Sequence, residues 1–151
     1  MVYLEYEVYR TQYFETQRMY HAVLCEKEAL FQKTQPQAIT YDKEKVSGGV
    51  GSNPLEEYVE RKEERKIDER LSEVKSLLED REHLLKIKLE ELRASNNVED
   101  KIYLLRFIDR VRVFRIAKMI GYSESQVYRI IEKIIAKCEK MRENARNSML
   151  N

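Results

Sequence analysis

Apolar residues recur at three-four spacing over two long stretches of the chain and three short ones, with polar breaks between them. Tyr6, Tyr9, Tyr13, Tyr20, Val23 and Leu30 follow the first register, interrupted by Thr16 and Lys27. That spacing predicts one helix over residues 2–33 with a tyrosine-rich seam. Tyr combines apolar area with a polar tip, which suits a half-wet contact with another helix. Pro36 ends this helix, because the residue before a proline avoids the helical region. The second register holds Ile67, Leu71, Val74, Leu78, Leu85 and Leu92, and Arg81 and Lys88 break it. It predicts a helix over 54–95, with Asn53 as its cap and Pro54 at its first position. At 1.5 Å per residue such a rod is on the order of 60 Å long. A polar helix of that length needs a partner along its apolar stripe. The first helix folded back, or a second copy of the chain, would supply one.

Between these helices lies TQPQAITYDKEKVSGGVGSN, residues 34–53, with Gly48, Gly49 and Gly51 clustered beside Ser47 and Ser52. The run lacks the GxxxxGK[ST] spacing of a phosphate loop and follows no buried strand. It reads as a flexible turn-around.

From Asp100 the pattern changes to short helices. Ile102, Leu104, Leu105 and Ile108 mark one of about ten residues, by their helical spacing. Asp109 and Arg110 make a turn, and Val113, Ile116, Ala117 and Ile120 mark a second helix. Gly121 then ends that helix in a left-handed conformation at little cost. Ser123 caps the next helix, Glu124 places a negative charge in its first turn, and Val127, Ile130, Ile131 and Ile134 form its apolar stripe. A small residue where two helices cross, Ala117, is followed four residues later by a tight turn at Gly121. Apolar residues at Ile116, Ile120, Tyr122, Val127 and Ile130 fill the packed positions. This is the pattern of a helix-turn-helix.

In a DNA complex the second helix would enter the major groove with its N-terminal half. With its apolar stripe turned inward, Ser125, Arg129 and Glu132 face outward, flanked by Gln126, Tyr128 and Lys133. Arg129 can donate two bonds to a guanine edge, and Gln126 can read adenine. Arg112, Arg115, Lys118 and Ser123 are placed for phosphate contacts.

Charge supports the placement. The 151 residues carry a net charge of +1, but residues 98–151 hold 12 Lys and Arg against 7 acids, a net of +5, and the rest hold 16 against 20, a net of −4. An anionic partner is therefore sought at the C-terminal third. Charged residues make up 36% and hydrophobic ones 42%, with four glycines, two prolines and no tryptophan, which favours an all-α chain of long helices over a large single core. Cys25 and Cys138 stand alone in helical patterns, so no zinc site is expected and reduced thiols fit a cytoplasmic setting. No apolar run is long enough to span a membrane, and MVYLEYEVYR lacks the regions of a signal peptide. His21 and His83 sit in separate helices without a Ser, Cys or metal constellation, so no enzyme, cofactor or metal is expected.

The run KIYLLRFIDRVRVFRIAKMIGYSESQVYRIIEKIIAKCEKM, residues 101–141, resembles region 4 of sigma-70 factors, which reads the promoter −35 element. The whole chain resembles a group of small phage- and prophage-encoded regulators related to the RinA/ArpU-like late-gene activators. TQPQAITYDKEKVSGG and IGYSESQVYRI carry that likeness. The first is distinctive, and the second is shared by many DNA binders. Nothing matches the promoter-melting region of true sigma factors.

These readings predict an all-α chain. A long helical hairpin or coiled coil covers 1–97 with its Gly-rich connector at 34–53. A sigma-region-4-like helix-turn-helix domain covers 98–143, and a flexible tail covers 144–151. The function expected is a phage-type transcription regulator that binds double-stranded DNA as a homo-oligomer, a dimer in the first instance. Two alternatives are a small-terminase-like packaging protein and a module that binds RNA polymerase.

Overall fold

A computed structural model of the chain describes residues 1–34 and 54–150. The Gly-rich connector and the Asn53 cap expected from sequence lie outside the described residues. Among those described, every element is helical: α1 (Val2–Thr34), α2 (Pro54–Ala94), α3 (Val98–Tyr103) running on into a π-helical turn (Leu104–Ile108), α4 (Val113–Ile120) and α5 (Glu124–Met149). The all-α expectation holds. Helix α5 extends to Met149, so it covers most of the segment set apart from sequence as a tail.

The chain divides into two compact units, one formed by Phe14–Asp80 and one by Met1–Tyr13 with Arg81–Asn151. In the first, the α1 and α2 segments run antiparallel: Arg70 reaches Glu26 at 2.9 Å and Lys27 reaches Asp68 at 2.8 Å. Both pairs are half-exposed, where such pairs contribute less than about 1 kcal/mol. The apolar register does more. Val23 is buried, while Tyr20, Leu30, Ile67, Leu71, Val74 and Leu78 are half-buried. Thr16 does not interrupt the seam as expected, since it is fully buried within it.

The second unit has one core, built from five elements. Tyr3 and Tyr6 come from α1, Leu92 from α2, Ile102 and Tyr103 from α3, Val113, Ile116 and Ala117 from α4, and Val127, Ile131, Ile134 and Cys138 from α5. Leu92 and Ile102 thus share a core across residue 97. The two basic residues that break the α2 register find acceptors. Arg81 donates to the Gln12 carbonyl at 2.9 Å, and Lys88 donates to Glu5 and Glu91, each at 2.7 Å. Those bonds raise the Lys88 pKa above its ordinary value.

Two buried acids tie the unit together. Asp100 accepts from the Tyr3 backbone N–H at 3.0 Å and from the Ser95 hydroxyl at 2.6 Å. The first bond satisfies one of the amides that the start of α1 leaves without an intrahelical partner. Glu7 accepts from the Tyr103 hydroxyl, from Arg10 at 3.2 Å and from Arg142 at 3.3 Å. Tyr3 stacks on Tyr103 with ring centroids 5.2 Å apart. Burial, then a hydrogen bond to a glutamate, pushes both phenols above their usual range.

Candidate nucleic-acid interface

Helix α4 ends where its sequence says it must. Gly121 sits at φ +79° and Ala117 accepts from both Gly121 N at 2.9 Å and Tyr122 N at 3.1 Å. A single carbonyl therefore closes the helix, in the manner of a left-handed C-terminal motif. A Cβ at Gly121 would meet nothing within 4 Å, so the backbone angle alone calls for glycine. Residues 121–123 form the turn, and α5 starts under a full capping box. Ser123 Oγ accepts from Gln126 N at 3.2 Å, and Gln126 Oε1 accepts from Ser123 N at 3.0 Å.

The inner faces match the predicted stripes: Val113, Ile116, Ala117, Val127, Ile131 and Ile134 are buried, and Ile120 and Ile130 are half-buried. Tyr122 departs from expectation. The pattern predicts a packed position for it, yet it is 38% exposed. It lies in the turn beyond the end of α4, outside both apolar stripes.

All nine predicted site residues are exposed: Arg112, Arg115 and Lys118 at and along α4, Ser123 at the turn, and Ser125, Gln126, Tyr128, Arg129 and Lys133 on α5. Their circumstances differ. Ser123 and Gln126 are engaged with each other in the capping box. Lys118 lies 4.3 Å over the ring of Phe114, which is itself half-exposed. Among the described residues no acid pairs with Arg112, Arg115, Arg129 or Lys133. No family model matches the chain, and no curated protein or solved structure matches it either.

The C-terminal half of α5 contrasts with its first turns. Lys137 bonds Glu99 at 2.8 Å and Arg142 bonds Glu7 at 3.3 Å, while Cys138 is buried. Burial, with Glu7 adding to it, pushes the Cys138 thiol up to about 11. Two of the basic side chains in that half are thus engaged by acids of other helices, whereas among the described residues no acid pairs with Arg129 or Lys133 on the first turns. Among the described residues no group of three or more His, Cys, Asp or Glu is placed to hold a metal ion, and no helix is long and apolar enough to cross a membrane.

The turn expected at Asp109 and Arg110 carries a feature that its sequence does not announce. The π turn closes with Asp109 N donating to Leu104 O at 2.9 Å, and Val111 N then reaches Leu105 O at 2.7 Å. Between them Arg110 adopts φ +55°. Asp109, Arg110, Val111, Arg112, Phe114 and Arg115 line a cleft of about 550 Å³ there. Three arginines within six residues were the available signal. What sequence could not show was that the turn gathers them around one cleft.

Proposed function

We propose that the chain is a sequence-specific DNA-binding transcription regulator of the phage type, which reads the major groove with helix 123–137. One observation carries this reading: α4 and the Ser123-capped α5 join through a left-handed Gly121, and the exposed start of α5 presents Arg129 without an acidic partner. The arrangement has the parts of a helix-turn-helix, and its outward residues are those that a groove would meet. Arg129 reads a guanine edge with its paired donors, and Ser125, Tyr128 and Lys133 flank it. Gln126 reads adenine only by giving up its bonds to Ser123. Arg112, Arg115 and Lys118 contact phosphates and fix the register. Glu124 and Glu132 weaken non-specific binding to the same surface.

The likeness to RinA/ArpU-like regulators and to sigma-70 region 4 supports a regulator acting in a bacterial host. It also allows RNA polymerase as a second partner. Dimerisation through the long helices would set the spacing of two half-sites. Particle size by light scattering separates this reading from DNA packaging, which calls for a ring of many subunits.

The direct test compares Arg129→Ala with Arg112→Ala in DNA binding. Loss at Arg129 relaxes sequence choice at one position by about 1–3 kcal/mol. Loss at Arg112 weakens all sequences alike and lowers the salt slope by about one. If neither change alters binding, the groove-facing surface is assigned wrongly.

A further inference from the structure

We propose that the cleft over Asp109–Arg115 is a clamp for the phosphodiester backbone of the same duplex, centred on Arg110 with Arg106 beside it. The inference rests on the reading of α5 as the groove-entering helix with Arg112 and Arg115 on phosphates, and adds to them Arg110 and Arg106 in the segment before α4.

The first argument is charge. Arg110, Arg112 and Arg115 all line the cleft, and Arg106 reaches its Val111 carbonyl at 3.5 Å. The one acid in the lining, Asp109, is paired to Arg93 at 3.5 Å. The chain as a whole carries 28 basic residues against 27 acidic, so acids are not scarce. Among the described residues none of them answers the three cleft arginines. Planar guanidinium groups with free donors match phosphate oxygens.

The second argument is backbone conformation. Arg110 is the one non-glycine residue at positive φ among those described. Glycine would hold that turn without strain, and asparagine nearly so. A long cationic side chain is kept where the backbone disfavours it, which points to a use for the side chain.

The third argument is distance. Helix α4 has eight residues, Val113–Ile120. At 1.5 Å per residue they place Arg112, at the near edge of α4 in the middle of the cleft lining, about 12 Å from the turn before α5. A major groove is about 12 Å wide, so a cleft one groove width from the N-terminus of α5 falls where the flanking phosphates run.

The test uses the full chain and a duplex of about 30 base pairs of arbitrary sequence, titrated from about 50 to 200 mM salt. Arg110→Gly removes the charge and relieves the backbone together. Its melting temperature is expected to equal or exceed that of the parent, while affinity falls roughly 5- to 20-fold and the salt slope falls by about 0.9. Arg110→Lys keeps the slope, and Arg106→Ala lowers it. A parental slope in Arg110→Gly overturns the clamp, and if Arg129→Ala still relaxes sequence choice, the groove reading survives that failure. A lowered slope in Arg110→Gly with unchanged sequence choice in Arg129→Ala supports the clamp and sinks the groove-facing assignment instead. Absence of any duplex binding by the parent ends both. Unchanged DNA binding by Arg110→Gly with lost binding to poly-glutamate assigns the cleft to an acidic polypeptide and overturns the proposal.

Discussion

Asp100 offers the sharpest test of how the C-terminal unit is held. Its carboxylate is 1% exposed and accepts two bonds, from the Tyr3 amide 97 positions away and from the Ser95 hydroxyl. Asp100→Ala removes both and leaves the Tyr3 N–H buried without an acceptor. A hydrogen bond to a charged group contributes about 1.5–3 kcal/mol, and an orphaned buried donor costs about 1–3 kcal/mol. The two estimates overlap, because they describe the same lost bond from its two sides. Some of the loss is recovered as α1 frays and water reaches the amide, so about 3 kcal/mol is expected in total. That is a large part of an ordinary domain stability of about 5–15 kcal/mol. Asp100→Asn keeps an acceptor for Tyr3 and turns its amide toward the Ser95 oxygen, so it should cost about 1 kcal/mol, chiefly the lost charge. Urea unfolding at constant slope gives both values, and amide exchange at Tyr3 locates the loss. Equal costs for Ala and Asn, or a Tyr3 amide as protected in Asp100→Ala as in the parent, would refute the assignment of this carboxylate as the cap of α1.

Two further outcomes follow from geometry already described. Gly121→Ala should cost about 1–2 kcal/mol from backbone strain alone, and Gly121→Asn clearly less, since asparagine tolerates the left-handed region. Equal costs in urea unfolding would show that something other than φ restricts that turn. Cys138 has its pKa raised from 9.0 to about 11 by burial, so above pH 9 the folded state holds a proton that the unfolded state releases. Its contribution is complete below about pH 9 and is lost as pH rises through about 11, by at most about 2–3 kcal/mol. The parent should therefore lose stability more steeply than Cys138→Ala over that window in thermal melts, and identical slopes would count against the buried thiol.

What could be read from sequence was local and periodic. Gly121 and Ser123 announced their conformations because left-handed backbone and helix caps select residue types at single positions. The α2 register survived Arg81 and Lys88 because long basic side chains can lie along an apolar stripe while their heads reach acceptors. What escaped was pairing between distant positions. Tyr103 was passed over in a helix whose stripe was already filled by Ile102 and Leu105, yet it is almost fully buried. Its burial depends on Tyr3, Tyr6 and Glu7, which no spacing within α3 reveals. No spacing marks Glu7 or Asp100 as buried, for the same reason. The π turn at 104–108 adds a residue to the repeat, so helical spacing carried from Ile102 loses register before Arg110. The cleft there was illegible although its arginines were plain to see.

The polar bonds around α5 raise the question of what holds the candidate interface in place. Lys137–Glu99 and Arg142–Glu7 both reach α5 from behind, but their basic partners are 39% and 54% exposed. The Lys137–Glu99 pair, open to solvent, contributes less than about 1 kcal/mol and salt weakens it further, while Arg142 meets the buried Glu7 from the solvent side. Fully burying one side chain such as Val127 or Ile134 contributes about 1.5–3 kcal/mol, and both are fully buried. Position is therefore set mainly by the apolar stripe, and the ion pairs engage Lys137 and Arg142 at the far end of α5. On this face Arg129 on the first turns of α5, and Arg110, Arg112 and Arg115 around the cleft before α4, have no acidic partner among the described residues. An anionic duplex would meet a surface fixed by packing that salt does not loosen, and salt would act on the contacts themselves.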